Sequence, residues 1–281
     1  MTEVVSAVVT ISSHVAAGPV GNSIIGPALV ALAVEPVAIP TVILSNHPGH
    51  GSPEGMDVPA DIITAMLSRA AELALLPSPA VFLTGYFRHP SQIEAVGRFI
   101  ANEKRAGRCR YFLCDPVLGD EHTGLYVKPG IAEAIRDVLV PLADGITPNA
   151  FELGWLTNTP VRDSQSASLA ARQLPGHDVV VTSVPDGDDR ILTQAYLEGV
   201  PVTIARPRLF AVPHGTGDLF AGVLAAGIAK GIRPAAGIGF AVAAVEQVIS
   251  RSAGSAILDL AHGLSGIADV EPCEVLSNAT S

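Results

Sequence analysis

Cysteine is scarce in this chain: Cys109, Cys114 and Cys273 are the only three in 281 residues. The number is odd, and no Cys-x-x-Cys pair or Cys/His run has zinc spacing. A disulfide framework and a zinc module are therefore excluded, and a reducing cytosol fits. Cys109 and Cys114 read instead as small apolar residues on a strand. Basic residues are also few, 17 Lys and Arg against 27 Asp and Glu, for a formal charge of −10. With no basic run, nucleic acid and anionic membrane are poor partners. Apolar residues are plentiful, yet no clean span of about 20 of them occurs. Asn22, Gly26, Pro27, Glu35, Pro36 and Pro40 break the longest apolar region, so no membrane-spanning helix is expected. The opening Met1-Thr2-Glu3-Val4-Val5 has no basic segment and does not read as a secretory signal. A GxxxxGK[ST] phosphate loop is absent as well.

What the chain does have is alternation. Apolar runs of strand length (Val4–Ile11, Val37–Leu44, Ala80–Thr84, Tyr111–Cys114, Asp144–Ile146, Val179–Val184) alternate with segments of helix length. The predicted helices are 22–34, 60–75, 91–106, 129–138, 151–156, 166–174, one starting near Asp218, and 235–248. Ile191–Leu197 and Val200–Ala205 flank Glu198-Gly199 and predict a hairpin. Strand–helix alternation predicts an α/β fold, a central mostly parallel sheet with helices on both faces. No internal repeat or linker divides the chain, so residues 1–281 are expected to form one domain. Ser45–Asp57, rich in His, Gly, Pro and Asn, reads as an ordered loop or flap. The tail from about 270 carries no pattern and is expected to fray.

One carboxylate stands out. In His214-Gly215-Thr216-Gly217-Asp218 it opens a run, Leu219 to Ala229, without a polar residue. A helix apolar on every face is normally buried. The glycines permit a tight turn that aims free N–H groups at one point, and such a helix end attracts phosphate. Asp218 is either an ordinary first-turn acid that complements the helix dipole, or a base placed beside a phosphoryl group in transit. Lacking a phosphate loop, Gly215, Thr216 and Gly217 would be the cradle.

Ligands of such sheets gather beyond the carboxyl ends of the strands. Four predicted strand-end loops carry polar groups: Ser12-Ser13-His14 with Gly18 to Ser23, Ser45 to Gly51, Asp115 to Asp120, and Thr147 to Glu152. Each could be turn and cap chemistry, with Thr147 or Asn149 capping the next helix. Together they suit phosphoryl transfer, which needs Mg²⁺, fixed donors and a positioned base. Mg²⁺ takes oxygen ligands and keeps several waters, and Asp115, Asp120 and Glu152 are the available carboxylates.

These segments resemble the pyridoxal kinases of the ribokinase-like superfamily. The resemblance is carried by Ser13-His14-Val15, Gly18-x-Val20-Gly21-Asn22, Thr41-Val42 with Ser45-Asn46-His47, Thr84-Gly85-Tyr86, Asp115-Pro116-Val117-Leu118-Gly119-Asp120, Gly124 to Val127, Pro141 to Leu153, Thr182-Ser183 and Gly215 to Gly222. It spans about residues 10 to 230 in the family's order. Gly-Thr-Gly-Asp is common among sugar kinases; the Ser-Asn-His flap and the Asp-Pro-Val-Leu-Gly-Asp loop are more selective.

The resemblance implies transfer of the ATP γ-phosphoryl to the 5′-hydroxymethyl group of pyridoxal, pyridoxamine or pyridoxine. It makes Asp218 the base and the backbone of Gly215 to Gly217 the anion hole. Ser13, Val20, Val42, His47 and Tyr86 would line the vitamin pocket. Asp115, Asn149, Thr182, Ser183, Tyr126 and Gly217 would meet ATP, and Asp115, Asp120 and Glu152 the magnesium. A flap at about 45–57, a cytoplasmic setting and a homodimer are also implied, and a monovalent cation is left open. Three positions depart from the pattern: Pro48, where some relatives carry threonine, and Pro213 and His214, where apolar residues are usual. A hydroxymethylpyrimidine kinase is the nearest rival, but that family commonly has cysteine in place of Asp218. A non-catalytic vitamer- or nucleotide-binding relative is the alternative of another class.

Overall fold

The computed structural model describes residues 7–196, 201–209 and 212–276. Residues 4–6 of the first predicted strand and the Glu198-Gly199 turn lie outside them. Eleven strands appear among these residues: β1 (Ala7–Ala17), β2 (Glu35–Asn46), β3 (Gly55–Asp57), β4 (Ala80–Thr84), β5 (Cys109–Cys114), β6 (Gly119–Asp120), β7 (Gly124–Leu125), β8 (Gly145–Ile146), β9 (Asp178–Asp186), β10 (Arg190–Tyr196) and β11 (Val202–Pro207). The helices are α1 (Asn22–Ala31), α2 (Ala60–Glu72), α3 (Pro90–Arg105), α4 (Pro129–Ala134), α5 (Ala150–Thr157), α6 (Ser164–Ala171), α7 (Thr216–Ala229), α8 (Pro234–Arg251) and α9 (Leu260–Gly263).

Nine strands form one sheet in the order β11-β10-β9-β8-β5-β4-β1-β2-β3. The six from β9 to β2 pair in parallel, while β10, β11 and β3 are antiparallel additions at the edges. Alternate strand residues point to opposite faces, and the chain uses this cleanly. Val9, Ile11, Phe82 and Phe112 pack under α2 to α6, whereas Val8, Val81, Leu83 and Leu113 pack against α1, α7 and α8. Both faces are thus covered, which is why the central strands read as continuous apolar runs. In α7 the residues from Leu219 to Ala226 are all buried, as its uniformly apolar sequence requires.

From β1 the chain passes to β2 on one side; β4 then pairs with β1 on its other side. The connections diverge there, opening the crevice in which such sheets bind ligands. β1 is longer than its apolar run. Ser12, Ser13 and His14 belong to it rather than to a following loop, across a register shift opposite β2. Asn22 explains this: its amide donates to the Ser12 and Ile39 carbonyls at 3.1 and 3.0 Å and accepts from Thr10 Oγ1 at 2.8 Å. The segment 45–57 is likewise not a plain loop. It contains the end of β2, a single helical turn (Pro48–His50) and β3. The helix predicted over 129–138 is α4 followed by a π turn, Ile135–Leu139. The tail is docked as far as Leu276: Cys273 N–H donates to Gly239 and Leu276 N–H to Thr203, at 3.0 and 2.8 Å. Among the described residues no helix is long and apolar enough to cross a membrane.

Candidate active site

The crevice between β1 and β4 is floored by glycine. Gly21 has φ +55, and a side chain there would drive into Ser13 and Ser12. Gly85 faces Ser12 Oγ in the same way, and a Cβ on it would lie 3.8 Å from Asp218 Oδ1. Ser12 Oγ also accepts from the Tyr86 N–H at 3.1 Å. These contacts bring the ends of β1, β4 and α7 to one point, with Asp218 at its centre.

Helix α7 starts from Gly215, whose φ of +100 is left-handed, and no side chain caps it. Its first N–H groups therefore stay free, as helix geometry requires. Asp218 does not spend itself as a cap; the N–H of Gly21 in the β1–α1 turn is the backbone group that favours its charged form. Burial outweighs that effect and pushes the Asp218 pKa up to about 6.

Asp115 follows β5, 8% exposed, and takes a 2.9 Å bond from Thr147 Oγ1. Burial, then the charges of Glu152 and Asp218, push its pKa well above the ordinary range. Glu152, 4% exposed, is pushed up to about 8 by burial, against three backbone donors. Leu118 and Gly119 N–H reach its Oε1 at 2.9 and 3.4 Å, and Asn149 N–H reaches Oε2 at 2.8 Å. Among the described residues no Lys or Arg pairs with Asp115, Glu152 or Asp218. Glu152 and Asp218 together disfavour charge on Asp115, and carboxyls left without a cation invite a positive ligand.

The remaining residues fall around this centre. Asn149 does cap α5: its Oδ1 accepts from Glu152 N–H at 2.9 Å, closing a capping box, and its amide donates to Gly119 O at 2.8 Å. Asp120 Oδ1 accepts from His122 and Thr123 N–H, both at 2.8 Å, and holds the β6–β7 turn. Burial works against ionisation there, but these donors keep its pKa below the usual value. Asp115, Asp120 and Glu152 do not form a three-carboxylate metal cage; no such cluster occurs among the described residues. Thr182 and Ser183 form a bulge of β9 opposite Thr193, with Ser183 at φ +56, and Thr182 bridges to Asn149. Tyr126 is 52% exposed.

On the other side of the crevice, Val20 lies beside Gly215, 3.4 Å from where a Cβ on that glycine would sit. Ser13 is buried against Gly21, and Tyr86 is half-buried with its hydroxyl 3.3 Å from Arg88. Val42 has no exposed surface, so no ligand touches it in this arrangement. His47 caps the Pro48–His50 turn, accepting from Gly49 N–H at 3.1 Å. Sequence reasoning singled out neither Gly85, Ser12 nor Thr147 as a site residue, although each lies at a predicted strand end. It also missed a cavity of about 710 Å³ beside Gly18 and Pro19, lined by Ser23, Arg251 and Asp259 among others.

The family model for phosphomethylpyrimidine kinase matches residues 28–259. A pyridoxine/pyridoxal/pyridoxamine kinase of Bordetella avium is 37% identical over 236 residues, 80% of this chain and 78% of that protein. This chain belongs to the pyridoxal kinase family. The pyridoxal kinase PdxY of Leifsonia xyli is 35% identical over 225 residues, covering 78% and 80% of the two chains. Among solved structures, the pyridoxal kinase of Entamoeba histolytica superposes with a TM-score of 0.88 at 26% identity, covering 95% of this chain and 98% of that one. That of Leishmania donovani, in complex with ADP and pyridoxamine, gives 0.84 at 28% identity, covering 95% and 97%. The expected ribokinase-like fold is thereby borne out.

Proposed function

We propose that this chain is an ATP-dependent kinase that phosphorylates the 5′-hydroxymethyl group of pyridoxal and its amine and alcohol relatives. The observation that carries this reading is Asp218: a carboxyl with a pKa near 6, on the uncapped end of a buried helix, in a glycine-floored crevice. The Leishmania relative binds ADP and pyridoxamine, and a Plasmodium falciparum relative holds AMP-PNP and PL.

The 5′-hydroxyl sits against Asp218, which accepts its proton as the oxygen attacks the γ-phosphorus. The free N–H groups of Gly215, Thr216 and Gly217 take the negative charge that spreads over the transferring group. Ser13, Val20, Val42, His47 and Tyr86 hold the ring, with Tyr86 presenting an aromatic face to the pyridine; Val42 would need uncovering. Asp115, Asn149, Thr182, Ser183, Tyr126 and Gly217 meet the nucleotide.

The buried, uncompensated carboxylates fit a magnesium ion. Asp115 would hold it, with Asp120 and Glu152 acting through water, because backbone N–H groups occupy oxygens of both. Mg²⁺ supplies neutralisation of the phosphate charge. Residues 45–57 serve as a flap that excludes water and so favours transfer over hydrolysis. The chain works as one domain and as a homodimer.

The test is formation of phosphorylated product from ATP and Mg²⁺ with pyridoxal, pyridoxamine, pyridoxine and hydroxymethylpyrimidine. Turnover fastest on a vitamin B6 form supports the proposal. Binding without turnover, or preference for the pyrimidine, contradicts it.

A further inference from the structure

Three histidines meet where the 45–57 segment touches the loop before α7. His47 and His50 bracket the Pro48–His50 turn, and His214 immediately precedes Gly215. The His47 and His214 rings lie 4.2 Å apart, centroid to centroid, with planes tilted by 34°. His50 meets both edge-on, at 6.2 Å from His214 and 6.3 Å from His47. Gly49 fills the space between them: a Cβ there would lie 2.6 Å from His214 Nε2 and 3.0 Å from His47 Nδ1. His50 packs over Gly18 on the β1–α1 turn, and Pro19, Val20, Ile257 and Leu258 complete an apolar surround.

We propose that His47, His50 and His214 form a proton-sensitive latch, which holds the 45–57 segment against the anion-hole loop while the His47 ring is neutral and releases it when that ring gains a proton. The contact itself stands on ring geometry. Its consequence for turnover rests on the kinase reading above.

His50 and His214 are exposed to water and His47 is half-buried, and the protein groups around the cluster supply no counter-charge. The β1–α1 turn offers Gly18, Pro19 and Val20, and the 256–258 segment offers Ala256, Ile257 and Leu258; none is charged. His14, earlier on β1, faces Ser23 instead, and Asp259 is engaged by His262 at 2.7 Å. The fields that reach His47 come from His214 and His50, both of the same sign when protonated. At the far end of the segment, Asp57 meets His89 at 2.7 Å and Arg88 at 3.7 Å. Those contacts hold the far end of the segment apart from the histidine cluster.

Burial first, then the two neighbouring rings, lower the His47 pKa to about 4 from an ordinary 6.5. The closed state therefore binds fewer protons than the open one. Closure is fully favoured above about 6.5 and is lost progressively as pH falls from 6.5 towards 4. The Pro48–His50 turn is too short to keep its own hydrogen bonds once released.

Hydrogen exchange of the whole chain tests this without reference to catalysis. Protection factors over residues 45–57, corrected for intrinsic exchange, are expected to fall roughly 10-fold between pH 7.5 and 5.5, with β4 unchanged. His214→Ala is expected to show low protection of this segment already at pH 7.5. His47→Phe, which keeps a ring but takes no proton, is expected to stay protected across the range. Should that variant fold poorly, His214→Phe is expected to show a smaller acid-induced fall than the wild type. Protection that is flat with pH in the wild type overturns the latch. So does a wild-type pH response in a folded His47→Phe or His214→Phe. A chain that lacked kinase activity altogether would leave these exchange results readable.

Discussion

Glu152 and Asp218 are both acidic residues in the first turn of a helix, and burial raises the pKa of each, to about 8 and about 6. Their hydrogen bonds differ. Glu152 accepts from three backbone N–H groups and ties the 118–119 turn to the start of α5. Asp218 is not tied in this way: the Gly21 N–H is the one backbone group that favours its charged form, and the carboxylate stands by a helix end that no side chain caps. A buried carboxylate held by three backbone donors is fixed in place and can meet a metal only through water. One left with spare acceptor capacity, in a cleft, is available for chemistry.

The comparison can be broken most severely at Gly21. Gly21→Ala introduces a side chain at φ +55 against Ser13 and shifts the N–H that favours the charged form of Asp218. A stability loss of about 2–4 kcal/mol in chemical denaturation is expected, with phosphorylation lost in step. Unchanged stability would show that the turn has room to move. Glu152→Gln comes next. One N–H cluster would face an amide instead of a carboxylate oxygen, at a cost of about 1–3 kcal/mol, and magnesium dependence should weaken. An unchanged Mg²⁺ titration would remove Glu152 from the metal's surroundings.

Asp218→Asn should act in the opposite direction. A carboxyl whose folded pKa is raised stabilises the fold fully below its unfolded value, near 3.8, and that contribution is lost as pH rises through about 6. The variant lacks this loss, so at pH 8 it should be the more stable protein by about 1–2 kcal/mol, a figure reduced for the carboxylate's accessible edge. Melting curves at pH 5 and pH 8 check it: the wild type should lose ground to the variant as pH rises. Thr147→Val should have the smallest effect, about 1 kcal/mol, through the single bond to Asp115.

Much of this was legible in the residues. Ala80–Thr84 was predicted to the residue, because a short apolar run bounded by Pro79 and Gly85 has few alternatives. The α7 start at Gly215-Thr216-Gly217 was readable from its glycines and its apolar continuation. Asn149 was open between cap and ligand contact, and the structure shows the cap. The extension of β1 through Ser12 to His14 was hidden, since it depends on the Asn22 amide filling the register shift from another element. The histidine cluster was hidden for the same reason: His214 is more than 160 residues from His47 in sequence, and only packing brings the rings together. Polar contacts between distant segments leave no periodicity to read.

Rapid-quench measurement of phosphoryl transfer to pyridoxal, at saturating ATP and Mg²⁺, with Asp218→Ala set beside Glu152→Gln, tests the central claim most directly. The account predicts that Asp218→Ala remains folded and binds nucleotide but transfers roughly 10²–10⁴-fold more slowly than the wild type, while Glu152→Gln loses far less rate. Wild-type-like transfer by Asp218→Ala, or a greater rate loss in Glu152→Gln, would contradict it.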